Sequence, residues 1–189
     1  MKIGIKDLVY TPFTSGGEGS AVVYGTGVAL VDYMVRADIG EERDDNGMHA
    51  DDHKIDSDNS LNGMTLGLEL ANMTDDMEVA LFGYVVSSSV VSVTDAAAPF
   101  VGIGFVQKKR FKGTVSWTGY WFYKVQFSMD TDSTQTKAES IDWQTHSLSG
   151  NCMAVTLTSG GAGTYMTKKT VSTEADALAF VKGCAGIST

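Results

Sequence analysis

"GYWFYKVQFS", residues 119–128, carries the strongest structural signal in the chain. Aromatic and β-branched side chains crowd it, and such residues suit the pleated surface of a strand. Strict alternation puts Trp121, Tyr123, Val125 and Phe127 on one face and Tyr120, Phe122, Lys124 and Gln126 on the other. Just upstream, "PFVGIGFVQKKR" (99–110) reads as a second strand, with Val101, Ile103 and Phe105 opposed to Gly102 and Gly104. The stretch joining the two holds Lys108, Lys109, Arg110 and Lys112, so the pair predicts a β-hairpin with a basic end.

Further out, Met64, Leu66, Leu68 and Leu70 alternate with Thr65, Gly67, Glu69 and Ala71, the pattern of a half-buried strand with one wet face. Ile3, Ile5 and Leu8 open a first strand, closed by Pro12 and the loop "TSGGEGS". A second strand is expected from about Val28 through "VDYMVRADIG", with Tyr33, Val35, Ala37 and Ile39 on one face. "YVVSSSVVSVT" reads as a strand or tight hairpin, and "ESIDWQTHSLSG" and "CMAVTLTS" as two further strands.

Two segments have helical signals instead. Thr74 can cap a helix over 75–82, with Asp75, Asp76 and Glu78 near the positive end of its dipole and Gly83 as its stop. Thr173 and Asp176 start a C-terminal helix with Leu178 and Val181 three apart, which Gly183 should end. The expected fold is mainly β: a sandwich or barrel with one flanking short α-helix plus a C-terminal helix. Residues 1–150 form the β domain, and 151–189 an extension with a strand and a short helix packed on it.

The totals narrow the function. The chain has 189 residues, enough for one domain with a real core. A net charge of −9 argues against gripping phosphate backbones, though an acidic wall lets nucleic acid slide past. Cys152 and Cys184 fit neither a zinc motif nor a disulfide framework and read as buried or half-buried thiols. The N-terminus lacks the apolar core of a signal peptide, and no window approaches a membrane span, so cytosolic synthesis is expected.

Between Asp38 and Asp58 lie nine of the 23 carboxylates, too dense a charge to form a core. An EF-hand loop beginning at Asp56 fails, because its sixth and twelfth positions are Leu61 and Gly67. His49 and His53 are four apart, but "HADDH" lacks the metalloprotease glutamate, so both read as solvated. "TSGGAGTYMTKKT" lacks Walker spacing and reads as a glycine turn. Three histidines, two of them in the acidic stretch, make a nucleophilic triad a poor fit. No catalytic residue, cofactor or metal ligand is therefore assigned. Paired carboxylates for glycoside cleavage have no local signature and stay open. Trp121 and Tyr123 could stack sugars or bases, but sheet core is the better reading. A basic tip and an acidic stretch on one chain can associate head to tail.

The succession "IGIKDLVY", "ADD", "GMTLGLEL", "ALFG", "PFVGIGFVQKKR", "YWFYKVQF" and "QTKAESI" resembles the major tail proteins of long-tailed bacteriophages, in the group called phi13-type. The resemblance covers about residues 2–150. It implies a tail tube subunit: a β-sandwich flanked by a helix, assembling as six-subunit rings that stack into the channel for the genome. It implies no enzymatic activity and no cofactor. Its implied partners are other copies of the chain, then tape-measure, tail terminator and tail-tip proteins. DNA would pass without specific binding, no membrane would be involved, and the place of the protein would be the virion tail, assembled in the host cytoplasm.

Carried onto this chain, the resemblance makes 43–59 the inter-subunit loop, with Arg43, Asp44, Asp45, Asp51, Asp52, Asp56 and Asp58 as its charged residues. Strand edges around 64–70 and 120–127 would supply the ring sheet, and Glu69 is a candidate for the channel lining. Lys108, Lys109, Arg110 and Lys112 would meet a neighbour's acidic loop. The alternatives are a calcium- or carbohydrate-binding β module and a secretion-system tube protein of the same architecture.

Overall fold

The computed structural model describes residues 1–26, 29–44, 46–50, 52–88, 90–130, 144–158 and 163–187. Its strands are β1 (Lys2–Ser15), β2 (Val23–Tyr24), β3 (Ala29–Val31), β4 (Met34–Arg43), β5 (Asn46–Ala50), β6 (His53–Asp58), β7 (Leu61–Leu70), β8 (Val85–Ser87), β9 (Val90–Ser92), β10 (Phe100–Phe111), β11 (Thr114–Met129), β12 (His146–Cys152) and β13 (Met166–Val171). The helices are α1 (Asp75–Phe82) and α2 (Glu174–Cys184). The protein is mainly β, as the alternation predicts, with a sandwich-like core and two flanking helices.

One antiparallel nine-stranded sheet runs in the order β2-β1-β10-β11-β12-β7-β4, with β3 beside β1 and β13 beside β11. Leu8 and Tyr10 of β1 share a core with Leu66, Leu68 and Leu70 of β7, four strands away in that order. A flat sheet could not bring them together, so the sheet curls over itself. Ile103, Phe105, Phe122 and Phe127 fill the space between, and Met77, Leu81 and Phe82 of α1 cover it. Each such side chain, fully buried, contributes about 1.5–3 kcal/mol.

A second core lies on the outer face. Val9, Val106 and Trp121 pack there against Ala177, Val181 and Ala185 of α2 and its C-terminus. β10 and β11 are thus covered on both sides, which is why they read as near-continuous apolar runs. Closeness of α2 depends on Gly104: a Cβ there would lie 2.8 Å from Val181 Cγ1 and 2.5 Å from the Tyr120 carbonyl oxygen.

The two faces of β11 differ from strict alternation. Ile103 pairs with Phe122, but Val101 pairs with Val125, so β11 carries an extra residue between them. This bulge reverses the phase. Tyr120, Phe122, Val125 and Phe127 all face the inner core, while Trp121 and Tyr123 join the outer one. The same happens in β4, where a shift between Met34 and Arg36 separates Tyr33 and Val35 from Ala37 and Ile39. Tyr33 and Val35 stand about half exposed as a result.

Other expectations shift as well. β1 passes through Pro12 to Ser15, and the Pro12 carbonyl accepts from Gly25 N. Of "CMAVTLTS", Cys152 ends β12, and the described residues after it form only isolated bridges at Val155 and Thr156, not a strand. The helix over 75–82 has the expected bounds, with the Thr74 side chain accepting from Met77 N and Gly83 left-handed at φ 75°. Gly183 does not end α2, which continues to Cys184. The part of "ESIDWQTHSLSG" before residue 144 lies outside the described residues, as does "QTKAESI".

Candidate assembly surfaces

The acidic stretch is not a loop. Arg43 ends β4, and most of the rest folds as a two-stranded sheet of its own, β5 against β6, with Asn46 opposite Asp58 and Met48 opposite Asp56. Charge along β6 and beside the arm keeps it in water, and every residue of β6 is exposed. Met48 and Ile55 are 64% and 57% exposed, so the arm also displays apolar groups. Asp44, Asp52, Asp56 and Asp58 belong to it, whereas Asp45 and Asp51 lie outside the described residues. At 3.3 Å per residue the six residues of β6 span about 20 Å. An isolated two-stranded sheet is marginal in water.

The arm leaves where β4 ends and β7 begins. Arg43 donates to Glu41 Oε2 and to the Asn59 carbonyl, holding its base. β4 is the last strand of the order and, among the described residues, pairs as a strand with β7 alone. The strands around 64–70 and 120–127 are therefore not edges. β7 is paired by β12 and β4, and β11 by β10, β12 and β13, so their backbone groups are already used.

Glu69 points to the outer side of β7, opposite Arg36 and Ser147. It is half-buried and accepts a hydrogen bond from Thr145 Oγ1 at 2.6 Å. Asp38 and Asp130 flank it in a small depression, and Asp38 pairs with Arg36 at 2.7 Å. Among the described residues, no group of His, Cys, Asp or Glu is placed to hold a metal ion.

The basic tip is a tight turn between β10 and β11. Lys112 and Gly113 both have positive φ, 46° and 86°, the geometry of a two-residue type I′ hairpin. Lys108 lies 5.1 Å from the Trp117 ring and Lys109 5.7 Å from the Tyr120 ring. Among the described residues, none of Lys108, Lys109, Arg110 and Lys112 forms an ion pair with a carboxylate. Strand direction carries the acidic arm and the basic turn off the same end of the sheet, yet among the described residues no ion pair joins them in one chain.

Sequence reasoning missed β13. "MTKKTV" pairs with β11 and brings Lys168 and Lys169 beside the basic hairpin. Its threonines and valine were the available signal, masked by the preceding glycines. Cys152 is buried and Cys184 half-buried, and both are free thiols. Burial pushes their pKa values up to about 12 and about 11, so neither is a reactive thiolate. A cavity of about 700 Å³ beside Tyr24 and Cys184 has no charged side chain among the described residues that line it. Among the described residues, no helix is long and apolar enough to cross a membrane.

These features define a mainly β protein with segregated acidic and basic projections. No protein-family model matches the chain, and no curated protein matches it significantly.

Proposed function

We propose that this chain is a structural subunit of a tail tube, assembling into rings that stack around a channel for a genome. The observation that carries this reading is the β5–β6 arm. It is exposed on all described sides, too small to be stable alone, and held out from the sheet by an ion-paired base. An arm of this kind gains its order from a neighbour. The open strand β4 at one end of the curled sheet agrees with side-by-side packing of copies. The resemblance of residues 2–150 to long-tailed phage major tail proteins points the same way, to copies of itself, tape-measure, terminator and tip proteins as partners, and to no catalysis.

Replacement of 44–58 by a short glycine-serine turn tests it. The trimmed chain should keep its circular dichroism spectrum and melting temperature and lose its concentration-dependent sedimentation. Unchanged association of the trimmed chain would remove the arm from the interface. A calcium-binding module would instead gain melting temperature in millimolar calcium by mass action.

A further inference from the structure

β4 ends the sheet, and among the described residues no strand pairs with its outward edge. We infer that this edge pairs antiparallel with β4 of a second copy, across a two-fold axis at Ile39. After the shift between Met34 and Arg36 the strand is regular from Arg36 to Glu42. Arg36, Asp38, Gly40 and Glu42 lie on the outer face, opposite Glu69, Gly67, Thr65 and Gly63 of β7. Ala37, Ile39 and Glu41 lie on the inner face, opposite Leu68, Leu66 and Met64. Arg36, Asp38, Ile39, Glu41 and Glu42 are all exposed.

Charge selects the register. A two-fold axis perpendicular to the sheet keeps outer residues opposite outer ones, so it passes through a residue. At Arg36, Asp38, Glu41 or Glu42 it would set a charge against its own copy. At Gly40 it would set Asp38 against Glu42, and at Ala37 only Arg36 to Asp38 of the regular run would overlap. At Ile39 it sets Arg36 against Glu42 twice, Asp38 against Gly40, Ala37 against Glu41, and Ile39 against its copy. Opposite charges facing across strands stabilise and like charges destabilise.

The partners are available. Among the described residues Glu42 has no ion pair within its chain, and Arg36 has only the exposed Asp38. Strand addition over Arg36 to Glu42 supplies about six backbone hydrogen bonds to an edge now left to water. A two-fold contact closes at two copies, unlike the contacts of a ring. Resting on the ring reading above, the pair is the resting form of the free chain, because a closed pair has no β4 edge to offer a ring neighbour.

Only the residue on the axis meets its own copy, so a thiol at Ile39 tests the pair. Oxidised full-length Ile39→Cys should run as a covalent dimer without reductant, since directly opposite residues lie within disulfide reach. Glu41→Cys, on the same face, should stay monomeric, because its two copies lie about 13 Å apart. Arg36→Glu and Glu42→Arg, each alone, should pair at least about ten-fold more weakly than native in sedimentation. Mixed one to one, they should recover to within about three-fold of native, with the mixed pair dominant in native mass spectrometry. The chain trimmed of 44–58 should sediment as a constant pair where the native chain builds larger species.

A native monomer that builds rings at high concentration, or cross-linking of Glu41→Cys equal to that of Ile39→Cys, overturns the pair and leaves the ring reading standing. Recovery on mixing in a chain that never builds rings keeps the pair and overturns the ring reading. Rings built as readily by oxidised as by reduced Ile39→Cys overturn the resting form.

Discussion

The Trp121 indole N–H donates to the Tyr24 hydroxyl at 3.0 Å, with the two rings edge-to-face 5.4 Å apart. Tyr24 in turn donates to the Tyr123 carbonyl oxygen at 2.9 Å. A two-residue strand thereby satisfies the only polar atom of a fully buried tryptophan. Tyr24→Phe keeps the ring contact and orphans the indole N–H, a loss of about 1–3 kcal/mol. Urea unfolding followed by tryptophan fluorescence checks this. An unchanged midpoint would mean that another acceptor takes the proton.

Gly104 and Gly183 make opposite predictions. Gly104→Ala forces a methyl between β11 and α2 and should cost at least about 1–3 kcal/mol. Gly183 lies inside α2, and a Cβ there meets nothing within 4 Å, so Gly183→Ala should stabilise by about 0.5–1 kcal/mol. Thermal melts of the two variants should move to either side of the native curve.

Asp7 sits at the β1 bulge with φ 56°, its side chain only 14% exposed and its Oδ2 without a hydrogen bond. Burial pushes its carboxyl above the usual range, opposed by Lys6 at 3.9 Å. A raised carboxyl holds its proton more tightly in the folded chain. Its contribution to folding is present at low pH and is lost as pH rises through that raised value. Asp7→Asn tolerates the same backbone and never ionises. It should be more stable than native at pH 7 by about 0.5–2 kcal/mol, with the gain shrinking on acidification. A gain independent of pH would locate the effect elsewhere.

The thiols respond at the alkaline end. With Cys152 at about 12 and Cys184 at about 11, the folded chain holds both protons where an unfolded chain releases them. Stability should fall as pH rises above about 9, and Cys152→Ser, Cys184→Ser should flatten that decline. A chromogenic disulfide at pH 8 should label both cysteines only after unfolding. Immediate labelling of the native chain would contradict the burial.

Local chemistry was the legible part of the sequence. The bounds of α1 follow from Thr74, three acids and Gly83, all within ten residues. The leucine face of β7 follows from alternation without a bulge. What escaped depended on partners distant in the chain. Trp121 and Val125 face apart because β10 and β11 disagree by one residue near Val101 and Ile103, which neither strand shows alone. The acidic stretch looked like a loop because a sheet exposed on its surfaces has no apolar period to detect. The lysines of β13 became part of a basic wall only through pairing with β11.

The central claim is that this chain builds a tube, and an image tests it most directly. Negative-stain electron microscopy of the concentrated native protein should show rings or hollow tubes of uniform width, dispersed by high salt as screened charges release the arm. Uniform monomers at the highest attainable concentration, under low salt and with no ordered assembly, would contradict it.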